Sequence, residues 1–440
     1  MKAASKMSMR PSSLMKTFIL YGCRPAFAIL IVAALAGGIY FASRSGDDPQ
    51  VYSNDFNVFY FAARELIEGR DPYQKSLGAW TPYLYLPLLA ESMILLAWLP
   101  LPVAAYLWFL MSAATVTSAA WMSAGLVAEE KTRSHGDTET RGRNTDPRPL
   151  APDPRPVIAA LALLVVIRFV FDNFAYGQVN TVVTFLAIAH IYFYAKNRKA
   201  MSSVAFALAA SIKLTPAVFI AYQIAKRRFK FAAGCAALLA AVTVLSFLPF
   251  GARGASAFET FVNRTIKNEQ GFDLAFSGNQ SLRGAVARLT GESGDLARRP
   301  SNSITLIISL ALLALSVFTA IVARNRVAAA APFFCCLVLL SPLSWKAHFV
   351  ALIMPVAYLI SRMFEAGGRR RYLIAAALIS SAILFNFTSP KIIGTRASEW
   401  ADAHSMVFAG ALLIFIACVW TALSRASRGP RRLASGPSFC

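Results

Sequence analysis

Apolar runs about as long as a bilayer is thick recur along almost the whole chain, and no other feature limits its fold so tightly. A hydrocarbon core of about 30 Å is crossed by about 17 to 25 apolar residues in a helix. Lipid offers no partner for a backbone N–H or C=O, so the helix must satisfy its own. Such runs cover residues 25–43, 103–127, 157–173, 179–195, 231–250, 303–323, 327–343, 349–363, 372–388 and 405–424. Composition agrees: the chain is 57% hydrophobic and 15% charged, where a soluble chain carries roughly a quarter charged residues. The fold class expected is therefore all-α and polytopic, with about ten full transmembrane helices at this run length.

The net charge of +22 comes from Lys and Arg lying mostly between the apolar runs. That placement reads as membrane topology and excludes nucleic acid as the partner. Lys2, Lys6, Arg10, Lys16 and Arg24 put the N-terminus in the cytoplasm by the positive-inside rule. Two segments are settled by the same rule. Residues 84–99 are apolar, but as a span they would place Lys196, Arg198 and Lys199 outside, so they are read as a re-entrant or interfacial helix on the outer side. Residues 200–225 have basic clusters at both ends and a proline within, and are read as a hairpin of two half-helices turning near Lys213 to Pro216. The resulting order is a cytoplasmic N-terminus (1–24), one transmembrane domain (25–424) and a basic cytoplasmic tail (425–440). The domain carries a first outer loop at 44–102 and a large outer loop at 251–302. The six cysteines form no CxxC pair, and no His, Asp or Glu group has metal-ligand spacing, so neither a disulfide framework nor a metal is expected. No glycine-rich phosphate loop points to ATP or dinucleotide chemistry, and no cofactor is expected.

With this topology the unusual polar residues fall on one face. Asp55 opens the first outer loop, and Phe56, Phe59, Tyr60 and Ala63 follow at helical spacing, as in an amphipathic helix at the interface. An Asp there serves either as an N-cap or as a base able to accept a hydroxyl proton from a substrate. Lys213 lies about a dozen residues, roughly 18 Å of helix, from the nearest aqueous edge, too far to snorkel, so a functional or strongly paired lysine is expected. Arg168, near the end of its run, is expected to snorkel. Tyr176, Gln178 and Asn180 sit on an outer turn and serve as caps or as partners of sugar hydroxyls. Trp345 suits an interfacial anchor, while Lys346 and His348 offer donors to an anionic group.

These residues give the chain a resemblance to the GT-C superfamily of multispanning glycosyltransferases, and within it to the glycosyltransferase 87 family of polyprenyl-phosphate-mannose-dependent mannosyltransferases. The similar features are Asp55-Phe56 with Phe59-Tyr60, Ala62-Ala63, Gly69 and Asp71-Pro72-Tyr73; Gly177-Gln178 with Asn180; Lys213 with Pro216; Asn279-Gln280-Ser281; and Ser341-Pro342 with Ser344-Trp345 and His348. The chain departs from the family pattern at Tyr85-Leu86-Pro87, where a double proline is common, and at Phe349. The resemblance implies a metal-independent, inverting hexosyl transfer, with mannose as the sugar. The donor is a polyprenyl-phosphate sugar and the acceptor a lipid or glycan at the extracytoplasmic face of a bacterial plasma membrane. It gives Asp55 the role of general base. Lys213, Lys346 and His348 fall to the donor phosphate; Tyr60, Tyr176, Gln178, Asn180, Asn279, Gln280 and Trp345 fall around sugar and acceptor. A competing expectation from the broken hairpin is a transporter or flippase of an anionic lipid-linked substrate.

Overall fold

A computed structural model describes residues 35–45, 54–73, 82–139, 153–268 and 271–426. The expectations for 1–24, for most of the first apolar run and for the end of the tail lie outside these residues. Among the described residues every regular element is helical.

Six helices are long and apolar enough to cross a membrane: Leu101–Glu130, Phe229–Ser246, Gly294–Val322, Lys346–Glu365, Gly368–Phe387 and Met406–Ser424. Two further helices reach that length only as a pair, α4 (Arg155–Val165) and α5 (Ile167–Tyr176), bent by 67° where they meet. Among the described residues six of the ten expected runs form long helices and a seventh forms this broken pair, while the runs at 179–195 and 327–343 form only shorter apolar helices, α6 (Asn180–Ala195) and α11 (Arg326–Leu339), and most of the run at 25–43 lies outside the described residues. At about 1.5 Å per residue, the 16 residues of α6 reach about 24 Å, short of a full core. The remaining labels are α1 (Asp55–Ile67), α2 (Pro87–Ala97), α3 (Leu101–Glu139), α7 (Lys199–Ile212), α8 (Phe219–Ala225), α9 (Phe229–Ser246), α10 (Ser303–Val322), α12 (Ile353–Glu365), α13 (Gly368–Ala382), α14 (Thr395–Ala403) and α15 (Met406–Ala426).

One end of the bundle is tied by cations. Lys196 pairs with Glu129, and the Arg326 guanidinium donates to the Ala195 carbonyl at 3.2 Å. Lys226 donates to the carbonyls of Ala320 and Ala323 at 2.9 and 3.0 Å. These contacts bring the ends of α3, α6, α8 and α10 and the start of α11 together.

The segment 200–225 turns back on itself. α7 ends at Ile212 because Lys213 is extended (φ −137°, ψ 133°), and Pro216 in the following 3-10 turn Thr215–Val218 has no N–H to continue a helix. The arms α7 and α8 are bridged near their feet by His190 of α6. Its Nδ1 lies 3.0 Å from the Ser202 carbonyl and hydroxyl, and its Nε2 lies 2.9 Å from Gln223. His190 is fully buried among Phe206, Phe219 and Phe231. It holds both ends of the hairpin at the basic end and leaves Lys213 at the apex.

α2 has 11 residues, too few to span, and packs on α1. Arg168 differs from expectation. It does not snorkel but is 9% exposed, donating to the Phe385 carbonyl and the Thr388 hydroxyl at 3.1 and 2.7 Å. Asn386 completes that joint: its side chain accepts from Arg168 N–H and donates to the Val165 carbonyl, at 3.1 and 3.0 Å, and so satisfies backbone groups on both sides of the bend.

Candidate active site

The N-terminus of α1 decides the role of Asp55. The preceding residue, Asn54, is the N-cap: its side chain accepts from Asn57 N–H at 2.8 Å. Its amide also reaches the Ser45 hydroxyl at 3.2 Å, anchoring α1 to the helix over 35–45. Asp55 is the first helical residue, and its carboxylate faces the Gln178 side chain, within the field of Lys213. Burial pushes the Asp55 carboxyl up to about 6, against the pull of Lys213 and the Gln178 hydrogen bond.

Gln178 is brought there by a turn that only glycine fits. Gly177 ends α5 in the left-handed region (φ 59°). A Cβ at this position would lie 2.7 Å from Phe56 Cβ and 3.2 Å from Phe56 N, so the turn presses directly on the start of α1. Its carbonyl accepts from the Trp108 indole at 2.9 Å.

From Asp55 a chain of hydrogen bonds runs across the bundle. Gln178 bonds the Asp55 carboxylate, and its Oε1 accepts from Asn180 Nδ2 at 3.1 Å. Asn180 Oδ1 in turn accepts from Lys213 Nζ at 2.5 Å. Lys213 Nζ also meets His348 Nε2, and His348 Nδ1 accepts the Trp345 backbone N–H at 2.9 Å. Because that N–H can only donate, Nε2 is the ring nitrogen left to face Lys213. With Nδ1 accepting, the neutral ring carries its hydrogen on Nε2, so the imidazole and the ammonium set two donors side by side, and the acceptor that pairs Lys213 is Asn180 Oδ1. Asp55, Gln178, Lys213 and His348 all remain partly accessible, whereas Asn180 is 4% exposed.

The sequence placed more residues in this site than the structure gathers. Lys346 forms an ion pair with Asp402 at 2.5 Å and is not part of the chain from Asp55 to His348. Asn279 and Gln280 are fully buried, with their amides engaged by backbone. Asn279 Nδ2 donates to the Leu274 and Pro342 carbonyls, and its Oδ1 accepts from Ser344 N–H at 3.0 Å. Gln280 Nε2 donates to the Ser277 and Asp402 carbonyls. They hold the turn that carries Trp345 to His348. Tyr60 is buried, its hydroxyl donating to the Leu99 carbonyl at 2.8 Å. Tyr176 and Trp345 are exposed, the latter with its ring on Phe276 at 5.4 Å. Asp71 accepts from Tyr73 N–H at 2.9 Å, as a turn residue does.

Sequence reasoning missed Asp402, which neutralises Lys346, and Asn173, whose amide donates to the Ala347 carbonyl at 2.7 Å beside His348. It also missed the capping role of Asn54, although Asn ahead of an amphipathic run is an N-cap signal. Removing one member of a partly buried ion pair leaves the other uncompensated. Asp402→Asn is therefore expected to lower stability by about 1 to 3 kcal/mol, and Lys346→Met in the same chain to restore part of it. Thermal unfolding of the two variants checks this.

Within this helical bundle a carboxylate, two amides, a lysine and an imidazole thus stand in one chain beside the hairpin of α7 and α8. Residues 83–342 match the model of glycosyltransferase family 87, and the chain belongs to that family. It is 29% identical over 267 residues to a polyprenol-phosphate-mannose-dependent alpha-(1-2)-phosphatidylinositol pentamannoside mannosyltransferase of Mycolicibacterium smegmatis. That match covers 59% of this chain and 62% of the relative. It is 26% identical over 383 residues to a polyprenol-phosphate-mannose-dependent alpha-(1-2)-phosphatidylinositol mannoside mannosyltransferase of Mycobacterium tuberculosis, covering 81% of this chain and 82% of that one.

Proposed function

We propose that this chain transfers mannose from a polyprenyl-phosphate carrier to a hydroxyl of a mannosylated lipid, at the end of the bundle opposite its cation-rich end. The observation that carries this reading is the chain of side chains from Asp55 to His348, which sets a buried carboxylate and a nitrogen pair on either side of two amides. The relatives' names supply the donor and the acceptor class. The positive-inside rule makes the site end extracytoplasmic and both termini cytoplasmic.

Each group suits one part of the reaction. The acceptor oxygen attacks the anomeric carbon, forming the new C–O bond as the bond from that carbon to the phosphate oxygen breaks. The acceptor proton passes to Asp55, the electron pair leaves with the phosphate, and the configuration inverts. The departing phosphate monoester gains one negative charge as it separates. Lys213 and His348 are placed to stabilise that charge, and Lys213 sits at a hairpin apex where few water molecules compete for it. Gln178 orients Asp55 and is open enough to meet a sugar hydroxyl, while the buried Asn180 joins it to Lys213. Asn279, Gln280 and the Lys346–Asp402 pair position the His348 turn. The step requires no cofactor.

The raised Asp55 carboxyl gives a signed pH dependence. A base must be unprotonated, so transfer is expected to fall about tenfold per unit as the pH drops below about 6. An ordinary carboxylate would hold the rate down to about pH 4. Initial rates at saturating donor across pH 4.5 to 8 check this; a rate unchanged at pH 5 contradicts the assignment. An assay of purified protein in liposomes with labelled polyprenyl-phosphate mannose and a phosphatidylinositol mannoside tests the function itself.

A further inference from the structure

Among the described residues one more polar group opens toward Asp55 without a partner. Tyr85 follows the buried Tyr83 and precedes α2, and its backbone is held in place. Its carbonyl accepts from the Tyr73 hydroxyl at 2.6 Å, the neighbouring Leu84 carbonyl accepts from Thr265 at 2.9 Å, and the Tyr83 hydroxyl donates to the Leu86 carbonyl at 2.7 Å. The Tyr85 ring meets Phe59 edge to face, with centroids 5.1 Å apart and planes at 90°. Phe59 lies four residues after Asp55 on α1, hence on the same helix face one turn along. The phenol is therefore carried over the face that bears Asp55, and the Asp55 charge acts on it directly. Tyr73 and Tyr83 bind carbonyls through their hydroxyls, but the Tyr85 hydroxyl has no hydrogen-bond partner among the described residues, and Tyr85 is only half-buried.

We infer that Tyr85 is an acceptor-positioning residue: its hydroxyl holds the sugar of the incoming acceptor so that the attacking oxygen meets Asp55. This rests on the mannosyl-transfer reading above. The phenol can donate to or accept from a sugar hydroxyl, and its edge-on contact with Phe59 holds the ring and so the position of its oxygen. Among the described residues nothing else takes up that hydroxyl, which leaves it to a ligand.

The test compares Tyr85→Phe, Tyr85→Leu and Asp55→Asn as full-length protein in liposomes, with labelled polyprenyl-phosphate mannose as donor and a phosphatidylinositol mannoside as acceptor. Tyr85→Phe keeps the ring on Phe59 and is expected to melt with the parent. Its acceptor KM is expected to rise about 3- to 10-fold with donor KM unchanged, the loss of one hydrogen bond. Tyr85→Leu also loses the ring contact and is expected to lower kcat as well. Parent values for acceptor KM in Tyr85→Phe, or an equal rise in both KM values, would overturn the assignment of Tyr85 while an inactive Asp55→Asn left the reaction standing. An active Asp55→Asn would instead overturn the reading beneath it.

Discussion

Asp55→Asn is expected to lower kcat for mannosyl transfer by about 10² to 10⁴, the contribution typical of a positioned base. The substitution keeps the shape of the side chain and its bond to Gln178 but removes the lone acceptor of the hydroxyl proton. The fold should tolerate it well. The helix does not depend on Asp55 for its cap, since Asn54 performs that task. A charge that burial disfavours is also removed. Donor KM should stay close to the parent, because the phosphate is assigned to Lys213 and His348 on the far side of the two amides. A variant that folds, holds donor and fails to transfer is the expected result. Transfer at more than about a tenth of the parent rate would contradict a base at this position.

Gly177→Ala is expected to be the most damaging change outside the charged groups. The new Cβ would meet Phe56 Cβ at 2.7 Å and Phe41 at 2.9 Å, and the residue would still have to hold φ at 59°. Left-handed strain of about 1 to 2 kcal/mol and overpacking of about 1 to 3 together give about 2 to 5 kcal/mol. The strain also displaces Gln178 from Asp55, and a misplacement of about 1 Å at a catalytic group can cost roughly 100-fold in rate. Gly69 supplies the control. It has φ 69° with nothing within 4 Å of an added Cβ, so Gly69→Ala carries the dihedral strain alone. Melting and transfer should both fall for Gly177→Ala, and fall far less for Gly69→Ala. Equal behaviour of the two would show that contact with Phe56 does not matter.

The fold class was legible in the sequence because hydrocarbon thickness sets the length of an apolar run independently of how the helices pack. The hairpin was legible for a related reason: basic clusters flank residues 200–225 on both sides, and Pro216 interrupts them. What bridges its two arms was not, since His190 looks like any polar residue in an apolar helix until α6, α7 and α8 are in place. The same holds for the bend near Val166, where the amide that fills the gap comes from Asn386. Length alone also misjudged α6 and α11: the run at 179–195 is helical almost throughout but gives a helix of only 16 residues, and the run at 327–343 outlasts its helix, which ends at Leu339.

In the candidate site, polarity and topology could not separate groups that join the chain from Asp55 to His348 from groups that hold the loops around it. Asn180 and Asn279 are alike in the sequence. In the structure Asn180 joins Lys213 to Gln178, while Asn279 ties a loop to Pro342 and Ser344. Lys346 lies two residues from His348, yet it turns to Asp402, a partner 56 positions away that nothing local announces. Tyr85 was visible only as a departure at the end of the first loop, and its nearness to Asp55 depends on how α2 folds back over Phe59.

The account depends most on where the donor phosphate rests. The direct measurement is a structure of Asp55→Asn protein in nanodiscs with polyprenyl-phosphate mannose bound. The phosphate should lie within about 3 to 4 Å of Lys213 and His348, charge-assisted contact distance, with the anomeric carbon turned toward residue 55. A phosphate seated instead on Lys346, or at the basic end of the bundle, would contradict it.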